Sequence, residues 1–133
     1  MQKKGRILVV DDEPLVLKVV GRALEREGFE PVLASTGEEA LRRMEGEPFD
    51  AVVTDHNLPG LKGSELLREA RIRYPGMRRF LLTGWSEDDR VKGAMREDPA
   101  IRLLDKPVDF SVLFGLLMEN HKETGHASDG NGG

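Results

Sequence analysis

The chain has 133 residues, carries 24 acidic against 20 basic side chains for a formal net charge of −4, and contains no cysteine. That length fits one domain with one core, large enough to bury roughly two-thirds of the surface its unfolded form exposes. The lack of cysteine excludes disulfides, thiolate nucleophiles and cysteine-based zinc sites, and the negative balance argues against broad capture of nucleic acid or of an anionic membrane.

The basic start MQKKG leads into an apolar segment of only four residues, Ile7 to Val10, too short for a signal-peptide core. No apolar run approaches the roughly 18 to 20 residues that span a bilayer, so a soluble, cytoplasmic protein is expected. RILVV, residues 6–10, is the first predicted strand, and DDE follows it. A helix over 14–27 places Leu15, Val19, Val20 and Ala23 at spacings of three and four, the face expected to cover a sheet, and Gly28 stops it. PVLA (31–34) and a helix over 37–45 come next, then DAVVT (50–54) and the turn DHNLPG. Leu66, Leu67 and Ala70 set the apolar face of a helix over 63–73, which Pro75-Gly76 terminates. RFLLT (79–83) precedes a helix over 86–97, for which Ser86 is the expected N-cap, with Asp89 completing a variant capping box. AIRLL (100–104) and a helix over 109–122 close the pattern. The glycine-rich, polar end cannot bury enough surface to order itself, so the domain is expected over 1–122 and a disordered tail over 123–133.

Strands separated by helices run parallel, because each crossover returns the chain to the same end of the sheet. The expected fold is therefore α/β: a doubly wound five-stranded parallel sheet with helices on both faces. ILVV and AVV lack polar alternation and belong at the centre, whereas PVLA and AIRLL look peripheral. In the flavodoxin-like order 2-1-3-4-5, ligands bind beyond the carboxyl ends of the strands, at the switch point between strands one and three. Asp11, Asp12 and Asp55 stand at those ends.

Neighbouring strands lie about 4.8 Å apart, so carboxylates ending them repel by roughly 4 kcal/mol at an intermediate dielectric. A cation between them resolves the conflict, and Mg²⁺ is the natural one: it is hard, takes oxygen ligands, and keeps positions for water and phosphate oxygens. A carboxylate left over can serve as a nucleophile through an aspartyl phosphate. Thr83 after strand four and Lys106 after strand five reach the same crevice, the hydroxyl from the adjoining strand and the long cation from about 10 Å away. Phosphoryl transfer needs positioning and charge neutralisation above all, which a metal, a hydroxyl and an ammonium supply. GLKGSE, residues 60–65, lacks the spacing of a P-loop, and His56 has no second histidine near it in sequence to build a histidine metal site.

DDE at 11–13, DHNLPG at 55–60, TG at 83–84 and KP at 106–107, with GFEPVLASTGEEAL between the first two, resemble the receiver domain of two-component response regulators over about residues 5–121. The resemblance implies that Asp55 accepts a phosphoryl group from a histidine kinase or a histidine phosphotransfer protein and that the domain catalyses its own phosphorylation and dephosphorylation. It implies Mg²⁺ held by Asp11 or Asp12, Asp55 and the backbone carbonyl of Asn57, with Asp12 a direct ligand and Asp11 acting largely through water. It also implies that Thr83 takes a phosphate oxygen, that Lys106 pairs with the acyl phosphate, and that the peptide to Pro107 is cis. Asn57 and Trp85 occupy positions that lie over the phosphate in the family and tune its lifetime; Trp85 is expected to shield it from water. Leu103 departs from the pattern, standing where many receivers carry the tyrosine or phenylalanine that reports activation. An unknown downstream protein, a monomer or weak homodimer, and no nucleic-acid or membrane partner complete the expectation. Two other readings stay open: a receiver-like docking module that never carries phosphate, and a Mg²⁺-dependent phosphohydrolase working through an aspartyl phosphate.

Overall fold

The structure, a computed structural model, describes residues 4–84 and 88–119. Five short runs rich in valine, leucine and isoleucine form β1 (Arg6–Val10), β2 (Glu30–Ala34), β3 (Ala51–Asp55), β4 (Arg78–Thr83) and β5 (Arg102–Asp105). A helix follows each: α1 (Pro14–Arg26), α2 (Gly37–Gly46), α3 (Gly63–Arg73), α4 (Asp89–Glu97) and α5 (Phe110–Met118). All strand pairs are parallel and their order is β2-β1-β3-β4-β5, the doubly wound arrangement expected. β1 and β3 are internal, and PVLA and the RLL of AIRLL lie on the two edge strands.

Successive strand side chains point to opposite faces, so the sheet feeds two cores. Leu8, Val10, Val52 and Leu81 meet α2, α3 and α4 through Met44, Leu66, Leu67 and Val91. Ile7, Val9, Val53 and Phe80 meet α1 and α5 through Leu17, Leu24, Leu113 and Leu117. Each such buried side chain contributes about 1.5–3 kcal/mol, so these layers rather than local propensity hold helices of nine to thirteen residues. No helix among the described residues is long and apolar enough to cross a membrane.

Three details differ from the sequence reading. The buried face of α1 is Leu17, Val20, Gly21 and Leu24, while Leu15 and Val19 are 71% and 48% exposed. Two apolar stripes overlap on this helix, and the sheet takes the one containing Gly21, where even a Cβ would lie 3.3 Å from Leu33 of β2. The N-cap of α4 is Asp88, whose side chain accepts from the Arg90 N–H, so the helix begins three residues later than 86; Ser86 itself lies outside the described residues. β5 begins at Arg102 and runs through Asp105, which brings Lys106 to the first position after the strand.

Candidate functional site

β3 ends in Asp55, and its register with β4 pairs Asp55 with Leu82. The Asp55 side chain is buried, as is that of Asp11, which leaves the end of β1; Asp12 beside it is exposed. One carboxylate oxygen from each of Asp11, Asp12 and Asp55 lies within 4.8 Å of the others. Asp11 Oδ1 accepts from the Glu13 N–H at 2.9 Å, but Oδ2 is buried with no hydrogen-bond partner among the described residues. Burial pushes the Asp11 carboxyl up, against the Glu13 N–H, and the charge of Asp55 pushes it further. An orphaned buried acceptor inside an all-oxygen cluster is the chemistry of a hard divalent cation site.

Opposing this cluster, Lys106 Nζ stands 3.2 Å from Asp55 Oδ2. Burial lowers the ammonium's affinity for its proton, yet the charge and hydrogen bond of Asp55 outweigh that and raise its pKa. β5 lies two strands from β3, as the length of a lysine side chain requires. Thr83 ends β4 fully buried, and its carbonyl accepts from the Lys106 N–H at 3.0 Å, locking the fourth and fifth strand ends together. The Lys106–Pro107 peptide is cis. Leu103 pairs with Leu81 across β4 and β5 and packs, half-buried, on the core under α2, α3 and α4. Trp85 lies outside the described residues.

The loop after Asp55 is fixed by its own backbone. The His56 carbonyl accepts from the N–H groups of Leu58 and Gly63, both at 3.0 Å, and Leu58 anchors its side chain in the core. Asn57 is exposed, and its N–H approaches Asp55 Oδ1 at 3.4 Å. Gly60 turns the chain at φ +72°, in the left-handed region that favours glycine. Gly63, which the sequence reading passed over, is the tightest point: a Cβ there would stand 2.2 Å from the Asp55 carbonyl oxygen. Its only sequence signal is a glycine opening a helix, which does not distinguish close approach from a permissive N-terminus. His56 is also buried, with Nε2 3.8 Å from Asp88 Oδ1; burial lowers its pKa against the pull of Asp88 and Asp55. It takes no part in the acidic cluster.

A parallel sheet of order 2-1-3-4-5 with carboxylates, a hydroxyl and an ammonium gathered at its carboxyl edge is a flavodoxin-like α/β domain whose crevice is built around one aspartate. The chain belongs to the response regulator receiver domain family, whose model matches residues 7–117. It is 33% identical over 128 residues to the transcriptional regulatory protein GlrR of Escherichia coli (strain K12), covering 96% of this chain and 28% of that protein. It is 36% identical over 115 residues to the transcriptional regulatory protein TcrA of Mycobacterium tuberculosis, covering 84% of this chain and 44% of that one. The chain thus spans less than half the length of these relatives. Among solved structures, a response regulator receiver domain protein from Clostridium thermocellum superposes with a TM-score of 0.79 at 34% identity, covering 90% of this chain and 98% of that one. A CheY-like receiver domain protein from Methanospirillum hungatei JF-1 gives 0.80 at 32%, covering 92% and 99%.

Proposed function

We propose that this receiver domain is a phosphorylation switch in which Asp55 accepts a phosphoryl group from a phosphohistidine of a kinase or phosphotransfer protein. An Asp55 carboxylate oxygen attacks phosphorus, the P–O bond forms as the P–N bond breaks, and the imidazole leaves. The observation that carries this reading is the 3.2 Å contact of Lys106 Nζ with Asp55 Oδ2 beside an acidic cluster with an orphaned oxygen. Lys106 Nζ lies against the Asp55 carboxylate that would attack and faces the oxygens on which charge accumulates in a loose transition state. Thr83 holds the neighbouring strand end, from which a hydroxyl would reach a phosphoryl oxygen. Asp12, Asp55 and the Asn57 carbonyl would hold Mg²⁺, with Asp11 behind them through water; when bound, the ion neutralises phosphoryl oxygens and cancels the repulsion among the acids.

A protein donor is favoured by the surface beside Lys106. An apolar groove of about 550 Å³ lies between α1 and the start of α5, lined by Leu15, Val16, Val19, Pro107, Val108 and Phe110. Its rim includes Lys106, so a helix seated there would bring its histidine to Asp55. A phosphate-independent docking role is the second reading, favoured by one observation: a leucine, Leu103, packs half-buried against the core where an aromatic reporter would stand.

Intact-protein mass after exposure to acetyl phosphate tests the reading. A Mg²⁺-dependent adduct of one phosphoryl group is expected on the wild-type chain and not on Asp55→Asn. An adduct that persists in Asp55→Asn, or none with Mg²⁺ bound, overturns it.

A further inference from the structure

Position 62 breaks a local rule. Lys62 is the N-cap of α3, where serine, threonine, aspartate and asparagine are favoured because their side chains accept the free N–H groups of the first turn. An ammonium has no acceptor to offer, and Lys62 makes no side-chain cap bond. Its charge also opposes the positive end of the helix dipole. The Lys62 N–H, by contrast, donates to Glu65 Oε1 at 2.8 Å, half of a capping box. A helix start that gives up its cap for a cation is the kind of local conflict expected at a functional position.

The side chain turns back instead. Lys62 is half-buried, and its Nζ donates to the Leu58 carbonyl at 3.0 Å, inside the loop that follows Asp55. Pro59 comes next, so the Leu58–Pro59 peptide has no N–H and can be held by a hydrogen bond at its carbonyl alone. Lys62 supplies that bond. The preceding peptide, Asn57–Leu58, is held from the other side by the Leu58 N–H, which donates to the His56 carbonyl at 3.0 Å. In a trans peptide the carbonyl points opposite to the N–H, so this bond turns the Asn57 carbonyl away from His56. No backbone hydrogen bond of the loop occupies the Asn57 carbonyl among the described residues. The Asn57 N–H approaches Asp55 Oδ1 at 3.4 Å, which keeps this part of the loop beside the acidic cluster.

We propose that Lys62 is a positioning residue for the cation site: by fixing the peptide on one side of Leu58 it sets the direction of the carbonyl on the other, that of Asn57. The proposal rests on the reading of Asp12, Asp55 and the Asn57 carbonyl as Mg²⁺ ligands. With the Leu58 side chain anchored in the core, the two peptide hydrogen bonds leave little freedom between Asn57 and Pro59. Lys62 contributes no ligand atom, and its charge repels a cation. Electrostatics alone therefore predicts tighter Mg²⁺ binding when the ammonium is removed, whereas positioning predicts weaker binding. The two accounts differ in sign.

Calorimetric titration of the metal-free, full-length chain with Mg²⁺ at fixed ionic strength tests this. Lys62→Met keeps the apolar stem without charge or donor, and its dissociation constant should rise about fivefold or more. Lys62→Ser loses the same hydrogen bond but gains a cap for α3, so it should bind Mg²⁺ as weakly as Lys62→Met while its metal-free form melts no lower than wild type. Lys62→Arg keeps a donor and the charge and should recover most of the affinity. Asp12→Asn separates the two readings. If it binds Mg²⁺ as the wild type does, or if the wild type itself shows no saturable binding, the cation is not at the acidic cluster and the inference falls with the reading of that site. If Asp12→Asn weakens binding but Lys62→Met and Lys62→Ser bind Mg²⁺ as tightly as wild type or more tightly, the site stands and the positioning role of Lys62 is overturned.

Discussion

Asp11 is buried, receives a single hydrogen bond on one oxygen, and faces Asp55 across adjoining strands, so its charge weakens the metal-free fold. Replacing it with asparagine keeps an acceptor for the Glu13 N–H and removes the repulsion. Asp11→Asn is therefore expected to stabilise the protein by about 1 kcal/mol or more in urea denaturation with a chelator present. Lower stability than wild type would show that the carboxylate is already compensated. Asp98 is the contrasting case. Burial opposes its ionisation, but the hydrogen bonds and charge of Arg79 prevail and hold its carboxyl below the ordinary value of 3.8. A depressed folded pKa means that its contribution is complete above that value and lost as pH falls through the lower folded one. Asp98→Asn leaves Arg79 buried and unpaired, so a loss of about 3–5 kcal/mol is expected at pH 7. The gap between variant and wild type should narrow in parallel denaturations carried below pH 4, and a pH-independent gap would refute the ion-pair account.

At the scale of elements, the site depends on how closely α3 approaches the end of β3. Gly63 brings the first turn of α3 against the Asp55 carbonyl, with 2.2 Å available where a Cβ needs more than 3 Å. The clash is with backbone, which cannot rotate away as a side chain would. Gly63→Ala should cost about 1–3 kcal/mol and slow phosphorylation by acetyl phosphate, because relief requires moving Asp55 or α3. Unchanged stability and rate together would mean that the helix start is looser than it looks. The exposed stripe of α1 makes a different prediction. Leu15→Glu, at a side chain 71% exposed and outside the acidic cluster, should leave phosphorylation by acetyl phosphate intact but impair transfer from a phosphohistidine protein. Equal effects on the two donors would remove the groove from the docking surface.

For the molecule as a whole, a cation held between strand ends would link metal binding to the fold. Mg²⁺ at a hundredfold excess over its dissociation constant should add about 2.7 kcal/mol, or about 10 °C in Tm for a domain of this length. Calorimetry on Asp12→Asn should show most of that increment gone, and an undiminished increment would place the ion elsewhere. The same sheet joins two cores, one under α1 and α5 and one under α2, α3 and α4, and the candidate site lies at the carboxyl edge between them.

The sequence by itself determined the βα repeat, the parallel sheet and the gathering of Asp11, Asp12, Asp55, Thr83 and Lys106, because each of these follows from local periodicity plus the rule that parallel strands end on one side. The residues stand at strand ends, and a strand end has one address in a doubly wound sheet. Tertiary structure alone decided which stripe of α1 is buried, where α4 begins and why position 63 is glycine. Both stripes of α1 satisfy helical spacing, and packing on the sheet takes the one that sends Leu17, Val20 and Leu24 into the core and sets Gly21 against Leu33. Asp88 caps α4, and because aspartate and serine cap equally well in isolation, the sequence alone does not choose between them. The pairing of Arg79 with Asp98, nineteen residues apart, has no periodic signature. Charges on separate elements acquire partners only when packing fixes the distance between them.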